Sequence, residues 1–375
     1  MTASPGPVSV LQVLAQDDLG GTELMLASLV ERLDPRRVRS ELAVLSEPGP
    51  ISARLRESGI AVHAIGGASL PGAALRLGRL LRTRGYGIVN AYGLRAGLVT
   101  RIAARAAAPR TAVVIGVRGL LVTEVESLSS PKARLALAIE RATSSLVDCY
   151  DSNSRGALEP LARVGVPRDR MRYIPNGLDL SQWPPGAASP NGDGPPLIAS
   201  VARFVPRKRH QDLLHALALL KGEGLRFRAV LAGAGPTLEQ SRAVASRLDL
   251  DAEVEFPGRL DPGEVRELLG RAQIGCLSSV WEGMPGFVME AMAAGLPVVA
   301  TAVNGPDELV VDQVTGFLVP PKDPEPMMRA LRTLLEQPAL ATRFGRSGRE
   351  RIEREFSLDA MVAAKQELYE RVARR

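Results

Sequence analysis

The chain has 375 residues, of which 45% are hydrophobic, so it is long enough for two globular domains and is not disordered. Lys and Arg outnumber Asp and Glu by 47 to 41, and this net charge of +6 favours partners that carry phosphate, whether ligands or membrane surfaces. Aromatic residues make up only 4%, too few for the stacking platforms of single-strand nucleic-acid binders.

Strand and helix patterns alternate over the first half of the chain. An apolar run at residues 8–15 predicts a buried strand, and a Gly-Gly turn leads from it into a helix over residues 23–33. This beginning is typical of a mononucleotide-binding unit, although the G-x-G-x-x-G fingerprint is absent. Further strands are predicted at 42–45, 61–65, 88–91, 112–115, 149–152 and 171–174, with helices at 51–58, 73–84, 95–107 and 132–142. The alternation predicts a parallel sheet with helices on both faces.

Composition marks the domain boundaries. Residues 181–196 are rich in Pro, Gly and polar side chains, which predicts a linker between a first domain over 1–180 and a second over 197–355. Residues 356–375 form an amphipathic pattern that predicts a terminal helix, whose basic end is interpreted either as a solvated tail or as a membrane-surface contact. The N-terminus lacks the basic region of a signal peptide, and no apolar run reaches the roughly 18 residues that span a bilayer. Cys149 and Cys276 lie in apolar runs without metal-ligand neighbours, which predicts a reduced, cytoplasmic protein.

A basic cluster opens the second half. It follows a predicted strand at 197–201 and precedes a helix that extends to about Lys221. Its members are Arg203, Arg207, Lys208, Arg209 and His210. One interpretation is a solvated basic face. A phosphate site is favoured because the cluster lies where a strand ends and a helix begins.

The following segments continue the pattern. A strand at 228–232 leads through Gly233 and Gly235 into a helix that ends near residue 248, and another strand is predicted at 253–256. The D-x-D triplet at 249–251 is interpreted as a turn that ends the helix rather than as a metal site, because it precedes the amino end of a strand. Arg259 follows that strand on the expected ligand side.

Residues 278–301 carry the most informative motif. They are predicted to form a strand end, a loop with two glycines and a proline, a helix over 287–294 and a second strand. Glu282 lies in the loop and Glu290 on the helix, and the backbone amides of Gly286, Phe287 and Val288 are predicted to be free to bind phosphate. The alternative is that Glu282 caps a turn and Glu290 is a solvated helix position.

The sequence EGMPGFVMEAMAAGLPVVAT closely resembles the signature of the family 4 retaining glycosyltransferases, in which two glutamates are separated by seven residues. The resemblance implies an α/β fold of two Rossmann-like domains (GT-B) that face each other across a cleft. It also implies that the C-terminal helix over 356–375 returns to the N-terminal domain. It also implies a nucleotide-sugar site, in which the Glu282 position meets the donor sugar and the Glu290 position binds the ribose.

Other segments resemble the same family. Arg203 and Lys208 match its Arg and Lys pair, which implies that they neutralise the diphosphate leaving group. Gly21 matches the first loop, whose amides approach the diphosphate, and Arg259 matches a loop that contacts the nucleobase. With two cations and a helix end facing the diphosphate, no metal is expected to be required.

Two positions depart from the family pattern. Tyr92 and Arg118 stand where the family often carries histidine, and they are acceptor-side candidates. Arg118 is expected either to hold an anionic group of the donor or acceptor, or to serve as a structural arginine paired with a carboxylate such as Glu124 or Glu126.

The sequence therefore predicts a metal-independent retaining glycosyltransferase. Its donor would be a UDP- or GDP-sugar, and its acceptor a hydroxyl group of a lipid-linked intermediate, a polysaccharide or a small secondary metabolite. The alternatives are a non-transferring nucleotide-sugar binder or epimerase of the same fold and, less favoured, a basic nucleic-acid-binding protein. The predicted location is the cytoplasm, either free or peripheral on the inner membrane face. The oligomeric state is not predicted.

Overall fold

The computed structural model describes residues 6–66, 69–118, 131–184 and 194–374, apart from the side chain of residue 132. Backbone contacts divide the chain into two compact units, of which the first comprises Met1–Gly177 with Leu358–Arg375 and the second comprises Leu178–Ser357. Most of the predicted linker, residues 185–193, lies outside the described residues.

Both units consist of strands that alternate with helices. Up to residue 177 the strands are β1 (Val8–Leu14), β2 (Val38–Val44), β3 (Val62–Ala64), β4 (Ile88–Tyr92), β5 (Ala112–Val117), β6 (Cys149–Ser152) and β7 (Met171–Tyr173). The helices of this part are α1 (Gly21–Arg32), α2 (Pro50–Glu57), α3 (Leu70–Arg84), α4 (Leu94–Ala107), α5 (Pro131–Thr143) and α6 (Glu159–Arg163).

The second unit repeats the alternation. Its strands are β8 (Leu197–Val201), β9 (Arg228–Ala232), β10 (Val254–Glu255), β11 (Ile274–Leu277), β12 (Val298–Thr301) and β13 (Gly316–Val319). Its helices are α7 (His210–Gly222), α8 (Leu238–Arg247), α9 (Pro262–Arg271), α10 (Gly286–Ala293), α11 (Pro306–Leu309), α12 (Pro324–Glu336) and α13 (Pro338–Glu355). The last helix of the chain, α14 (Leu358–Ala373), belongs to the first unit.

Each unit has one parallel sheet whose strand order reverses near its middle. The first sheet has the order β3-β2-β1-β4-β5-β6-β7, and the second has the order β10-β9-β8-β11-β12-β13. In an open parallel sheet the crevice at such a reversal, beyond the carboxyl ends of the strands, is where ligands bind. The reversals lie between β1 and β4 and between β8 and β11. The predicted α/β architecture of two parallel-sheet units is confirmed.

Helices cover both faces of each sheet. In the first unit, α1, α2 and α14 pack on one face through a cluster that includes Leu14, Leu29 and Met361. In the second unit, α7, α8 and α12 cover the face that carries Ile198 and Cys276, whereas α9 and α10 cover the other face. Strands buried on both faces are uniformly apolar, which is why they were recognisable as short apolar runs.

Candidate active site in the second unit

Glycines shape the loop that follows β8. Gly233 (φ +144°) and Gly235 (φ +152°) follow β9 and lie directly against the backbone after β8, so that a Cβ on Gly233 would stand 1.9 Å from the Ala202 carbonyl oxygen. A Cβ on Gly235 would stand 2.3 Å from the Phe204 carbonyl oxygen. Only glycine permits this approach, and it fixes the backbone on either side of Arg203.

The loop after β11 brings Glu282 to the same place. The Glu282 carboxylate accepts hydrogen bonds from the Lys208 ammonium, from Ser279 Oγ at 2.5 Å and from Arg207 Nη1 at 3.4 Å. Two further bonds join the loop to the basic segment: Val280 N donates to the Arg207 carbonyl at 2.8 Å, and Ser278 Oγ donates to the Lys208 carbonyl at 2.9 Å. Because β8 and β11 are neighbours at the strand reversal, the two predicted site residues Lys208 and Glu282 meet at the carboxyl edge of the sheet.

The ion pair of Lys208 and Glu282 is largely removed from solvent, with side-chain exposures of 12% and 6%. Burial opposes ionisation of Glu282, but the charges of Lys208 and Arg207 outweigh burial and hold the pKa of that carboxyl below its usual value. Burial lowers the pKa of Lys208, and the nearby Arg207 and Arg203 act in the same direction against the attraction of Glu282. The site therefore carries an ionised carboxylate within an excess of positive charge.

Arg203 supplies an accessible cation beside this pair. Its side chain is exposed, and its guanidinium makes no hydrogen bond or ion pair within the described part of the chain. Its charge contributes to the lowered pKa of Lys208, which places it within electrostatic reach of the ammonium. An exposed guanidinium next to a buried ammonium is suited to bind an anion that enters from solvent.

The remaining members of the basic cluster have structural roles. Arg209 adopts a left-handed backbone conformation (φ 51°), and its guanidinium forms a bidentate ion pair with the Asp212 carboxylate at 2.8 and 2.9 Å. His210 is buried and stacks on Phe204 with a ring separation of 3.9 Å, and burial lowers its pKa to about 4. The cluster is therefore neither a uniform solvated face nor a uniform phosphate site, because its side chains divide between Glu282, solvent and the core.

Helix α10 begins shortly after Glu282. Of its three amides that were predicted to be free, two are free in the part of the chain that the structure describes. Pro285 is the residue before the helix, and the amides of Gly286 and Phe287 have no acceptor within the described residues. The prediction for Val288 is wrong, because its amide donates to the Pro285 carbonyl at 3.1 Å in a tight first turn. Gly286 is exposed, so the open end of the helix dipole is accessible to an anion.

Glu290, one turn further along α10, carries an unsatisfied carboxylate. The residue is only partly exposed, and its carboxylate makes no hydrogen bond among the described residues. Burial raises its pKa to about 7, against a weaker opposing effect of Arg266. A partly buried carboxylate without a donor is costly unless a ligand supplies one, and hydroxyl groups are the donors that suit it.

Arg259 lies in an exposed loop of the second unit. It follows Gly258 (φ +83°), whose carbonyl accepts a hydrogen bond from Gly233 N at 2.7 Å. This bond ties the Arg259 loop to the glycine loop beside Arg203. The Arg259 side chain itself is exposed, and its nucleobase contact stays a prediction.

Gly21 belongs to the first unit, at the first residue of α1 beyond the carboxyl end of β1. It is exposed, and a Cβ placed on it would meet no heavy atom within 4 Å, so there is room for a ligand against this backbone. The carboxylates of Asp18 and Glu23 lie against the neighbouring Gly20 and already supply negative charge there. The diphosphate contact of Gly21 stays a prediction.

The two acceptor-side candidates are engaged in the core of the first unit. Tyr92 is 3% exposed, and its hydroxyl lies in a buried hydrogen-bond network with Gln12 and Asn90. Arg118 forms a buried ion pair with Asp151 and lies over the Tyr92 ring at 5.2 Å. The acceptor-side prediction for both residues is therefore corrected, because both side chains are almost fully buried and bind partners inside the fold.

The structural alternative for Arg118, a pair with a carboxylate, is confirmed. Its guanidinium pairs with Asp151, whereas the proposed partners Glu124 and Glu126 lie outside the described residues. Lys365 of α14 also pairs with Asp151, at 2.6 Å. Burial opposes ionisation of Asp151, but the two cations outweigh it and lower the pKa of the carboxyl.

Sequence analysis missed two groups that hold the Glu282 loop. Ser279 donates to the Glu282 carboxylate, and Asn304 Nδ2 donates to the Glu282 carbonyl at 2.8 Å. Gly305 (φ +101°) lies against this loop, and a Cβ there would stand 2.6 Å from the Gly283 carbonyl oxygen. The glycine that follows Asn304 was a usable signal, since it marks a close backbone approach.

The comparisons with known proteins agree with this geometry. A family model described as glycosyl transferases group 1 matches residues 187–351, and one described as a glycosyl transferase 4-like domain matches residues 20–177. The chain belongs to the group 1 glycosyltransferase family. The resemblance that the Glu282–Glu290 motif indicated is confirmed.

The relatives that this chain resembles carry the names of different enzymes. The chain is 29% identical over 229 residues to the glycogen synthase of Mycobacterium tuberculosis (61% of this chain, 54% of the relative). It is 33% identical over 216 residues to the D-inositol 3-phosphate glycosyltransferase of Corynebacterium efficiens (54% of this chain, 51% of the relative). The chain thus spans about half the length of the curated relatives it matches.

A solved glycosyltransferase structure shares the whole fold. The crystal structure of Anabaena HepE in complex with UDP-glucose superposes with a TM-score of 0.82 at 21% identity, covering 97% of this chain and 99% of that one. At this identity the likeness shows the fold alone, and it confirms the predicted GT-B assignment.

Proposed function

We propose that this protein transfers a sugar from a nucleoside diphosphate sugar to a hydroxyl acceptor. The observation that carries the proposal is the arrangement around Glu282, whose ionised carboxylate is held by the buried Lys208 beside the exposed Arg203 and the open end of α10. In the reaction the bond between the anomeric carbon and the diphosphate oxygen breaks, and a bond to the acceptor oxygen forms as the hydroxyl proton is released. The growing charge on the leaving diphosphate is what fixed cations and amide dipoles stabilise.

We assign the residues as follows. Arg203 and Lys208 offset the charge of the leaving group, together with the amides of Gly286 and Phe287 and, from the first unit, Gly21. Glu282 accepts hydrogen bonds from the donor sugar, and Glu290 accepts them from the ribose diol. The unpaired, partly buried Glu290 supports this assignment because the diol would supply the missing donors. Arg259 is proposed as a nucleobase contact.

A uridine nucleotide is the favoured donor, because the Anabaena HepE structure of the same fold holds UDP-glucose. The acceptor remains a hydroxyl group, with the polysaccharide, lipid-linked and small-molecule classes all retained. The relatives support that breadth, since one is a glycogen synthase and another a D-inositol 3-phosphate glycosyltransferase. A cytoplasmic location remains a proposal, supported by the two buried free cysteines.

Transfer should retain the anomeric configuration of the donor and should proceed at an unchanged rate in EDTA. The physical reason is that the proposed site already supplies fixed positive charge, from Arg203, Lys208 and the start of α10, where a divalent ion would act. The measurement is product formation from UDP-glucose over a panel of hydroxyl acceptors, with the new linkage assigned by proton NMR. Activity that EDTA abolishes and magnesium restores would contradict the metal-independent site. Donor turnover without a new glycosidic linkage would support the epimerase alternative.

Binding of UDP-glucose should weaken about tenfold as the pH falls from 8 to 6. The pKa of Glu290 is about 7, so its carboxylate becomes protonated over this range and loses its capacity to accept two hydrogen bonds from the ribose. Isothermal titration calorimetry at several pH values measures the effect, and UDP-glucose has no phosphate that titrates in this window. Glu290→Gln should bind more weakly at pH 8 and show little pH dependence. An equal pH dependence in both proteins would remove Glu290 from the ribose site.

A further inference from the structure

The two units differ in charge, and the difference is concentrated in one stretch of sequence. The first unit has 27 Lys and Arg residues against 18 Asp and Glu, whereas the second has 20 against 23. Between Glu57 and Glu124 the chain has nine arginines and no acidic residue. A charge asymmetry of this size within one chain is typical of proteins that meet an extended anionic surface.

Helices α3, α4 and α5 form a layer on one face of the first sheet, here called the α3–α5 layer (Leu70–Arg84, Leu94–Ala107 and Pro131–Thr143). None of them contributes to the apolar cluster under α1, α2 and α14, and Gly97 of α4 faces Ile115 on the opposite side of the sheet. Gly78 lets α3 pack closely on α4, and a buried ion pair between Arg101 and Glu140 at 2.7 Å joins α4 to α5. Glu140 is the one acidic residue of the three helices, and it is buried.

The outer side of the α3–α5 layer is both basic and apolar. Its exposed arginines are Arg76, Arg79, Arg82, Arg84, Arg95, Arg134 and Arg141. Among the described residues, the two most exposed large aliphatic side chains also lie here: Leu75 on α3 is 69% exposed and Leu135 on α5 is 63% exposed. Ile102 on α4 is 47% exposed. Exposed aliphatic side chains that share one layer and are rimmed by polar residues are typical of a protein or membrane interaction site.

We propose that the outer side of the α3–α5 layer docks on an anionic lipid bilayer. The arginines would meet the lipid headgroups, and Leu75, Ile102 and Leu135 would enter the boundary between headgroups and acyl chains, as the apolar side chains of interfacial helices do. Within the described ranges no helix is long and apolar enough to span a membrane, and the proposed contact does not require one. The combination of charge with exposed aliphatic residues favours lipid over nucleic acid, because none of the three helices carries an aromatic residue for base stacking.

This surface differs from the basic C-terminal end that sequence analysis considered. Helix α14 packs on the opposite face of the sheet and carries Asp359, Glu367 and Glu370 among its cations. Arg37 and Arg32 from neighbouring segments pair with two of these carboxylates. Its charges are therefore mixed, and we assign no membrane contact to it.

Co-sedimentation of the full chain with vesicles tests the proposal. The protein should bind vesicles of phosphatidylcholine that contain about 30% of the anionic lipid phosphatidylglycerol. It should bind pure phosphatidylcholine only weakly. Arg79→Gln/Arg82→Gln should weaken binding about fivefold per arginine, or about 25-fold for the pair. Leu75→Ser/Leu135→Ser should also weaken binding, and this loss should persist at high salt because it removes apolar contact.

Matched substitutions elsewhere distinguish an effect specific to this surface from a general effect of net charge or of exposed apolar side chains. Arg346→Gln/Arg354→Gln removes the same charge from exposed positions on α13, and Leu219→Ser removes an exposed leucine from α7. These variants should bind the anionic vesicles within twofold of the original chain, and melting temperatures should confirm that all variants are folded. Equal losses in the control variants would overturn the proposal. So would tighter binding of an oligonucleotide that depends on Arg79 and Arg82, or a dimer that Leu75→Ser/Leu135→Ser dissociates.

Discussion

Replacing Lys208 with methionine should lower the turnover number for sugar transfer about 10²- to 10³-fold. The Lys208 side chain is 12% exposed, and in the proposed function its ammonium faces the diphosphate that gains negative charge as it leaves. An electrostatic contact made in such a low-dielectric site is worth far more than the same contact in water. Because the charge grows as the bond breaks, the loss should appear in kcat more than in KM. Steady-state kinetics with UDP-glucose as the donor measures both constants.

Lys221→Met is the matched control for this variant. Lys221 lies at the end of α7, and its ammonium pairs with Asp249 and Glu253 at 3.1 and 3.2 Å. The same substitution there removes an ion-paired lysine from the same unit, and kcat should stay within about twofold, because surface pairs contribute little. A comparable fall in kcat for both variants would show that the Lys208 effect is not specific to the site.

A second variant separates catalysis from folding. Without Lys208, the Glu282 carboxylate keeps Ser279 and Arg207 as its partners in the described part of the chain. Its pKa should therefore rise, and part of the stability of the second unit should be lost. Lys208→Met/Glu282→Gln removes the uncompensated charge and should recover the melting temperature without recovering turnover. Recovery of turnover in the double variant would mean that Lys208 only neutralises Glu282, and the proposed role at the leaving group would be wrong.

The parts of the site that sequence could predict are those that follow from the parallel direction of the strands. Arg203 and Lys208 come after one short apolar run, and Glu282 comes after another. Parallel strands present their carboxyl ends at the same edge, so both loops had to open on one side of the sheet. The pairing of Lys208 with Glu282, which are 74 positions apart, follows from β8 and β11 being neighbours, and a single sequence does not reveal which strands pair.

Local backbone geometry explains the error at Val288. A helix leaves its first four amides without helical acceptors in general, and this rule predicts three free amides after Pro285. The first turn of α10 is tighter than that, so the Pro285 carbonyl accepts from both Val288 and Met289. The helices α9, α12 and α13 were not predicted.

Long-range burial explains the error at Arg118. A position that a family often fills with histidine suggested a ligand contact, and charge alone suggested the nearby Glu124 and Glu126 as alternative partners. The carboxylate that holds Arg118 instead belongs to β6, and the second cation on that carboxylate is Lys365, 214 positions further along the chain. Neither local periodicity nor the motif carries information about this contact.

The carboxylate shared by Arg118 and Lys365 supports the prediction with the largest expected effect on stability. Asp151→Ala should lower the free energy of unfolding of the first unit by about 3–5 kcal/mol, because it leaves two buried cations without their counter-ion. The side chains of Asp151 and Lys365 are 0% and 1% exposed, so solvent cannot replace the lost contact. Hydrogen exchange should show the loss as weaker protection of α14, which carries Lys365. Glu325→Ala, which breaks an exposed pair with Arg329, should change stability by less than about 0.5 kcal/mol.

Acid titration gives an independent test of the same carboxylate. The folded-state pKa of Asp151 lies below its ordinary value of 3.8, because Arg118 and Lys365 outweigh the effect of burial. Its contribution to stability should therefore be fully present above that ordinary value and should disappear as the pH falls through the folded-state pKa. Urea unfolding of the original chain should show this acid-dependent loss, and Asp151→Ala should lack it. Asp151→Ala/Lys365→Met should recover part of the stability at neutral pH, since only one buried cation then remains uncompensated. If the double variant is no more stable than Asp151→Ala, charge imbalance is not the cause of the loss.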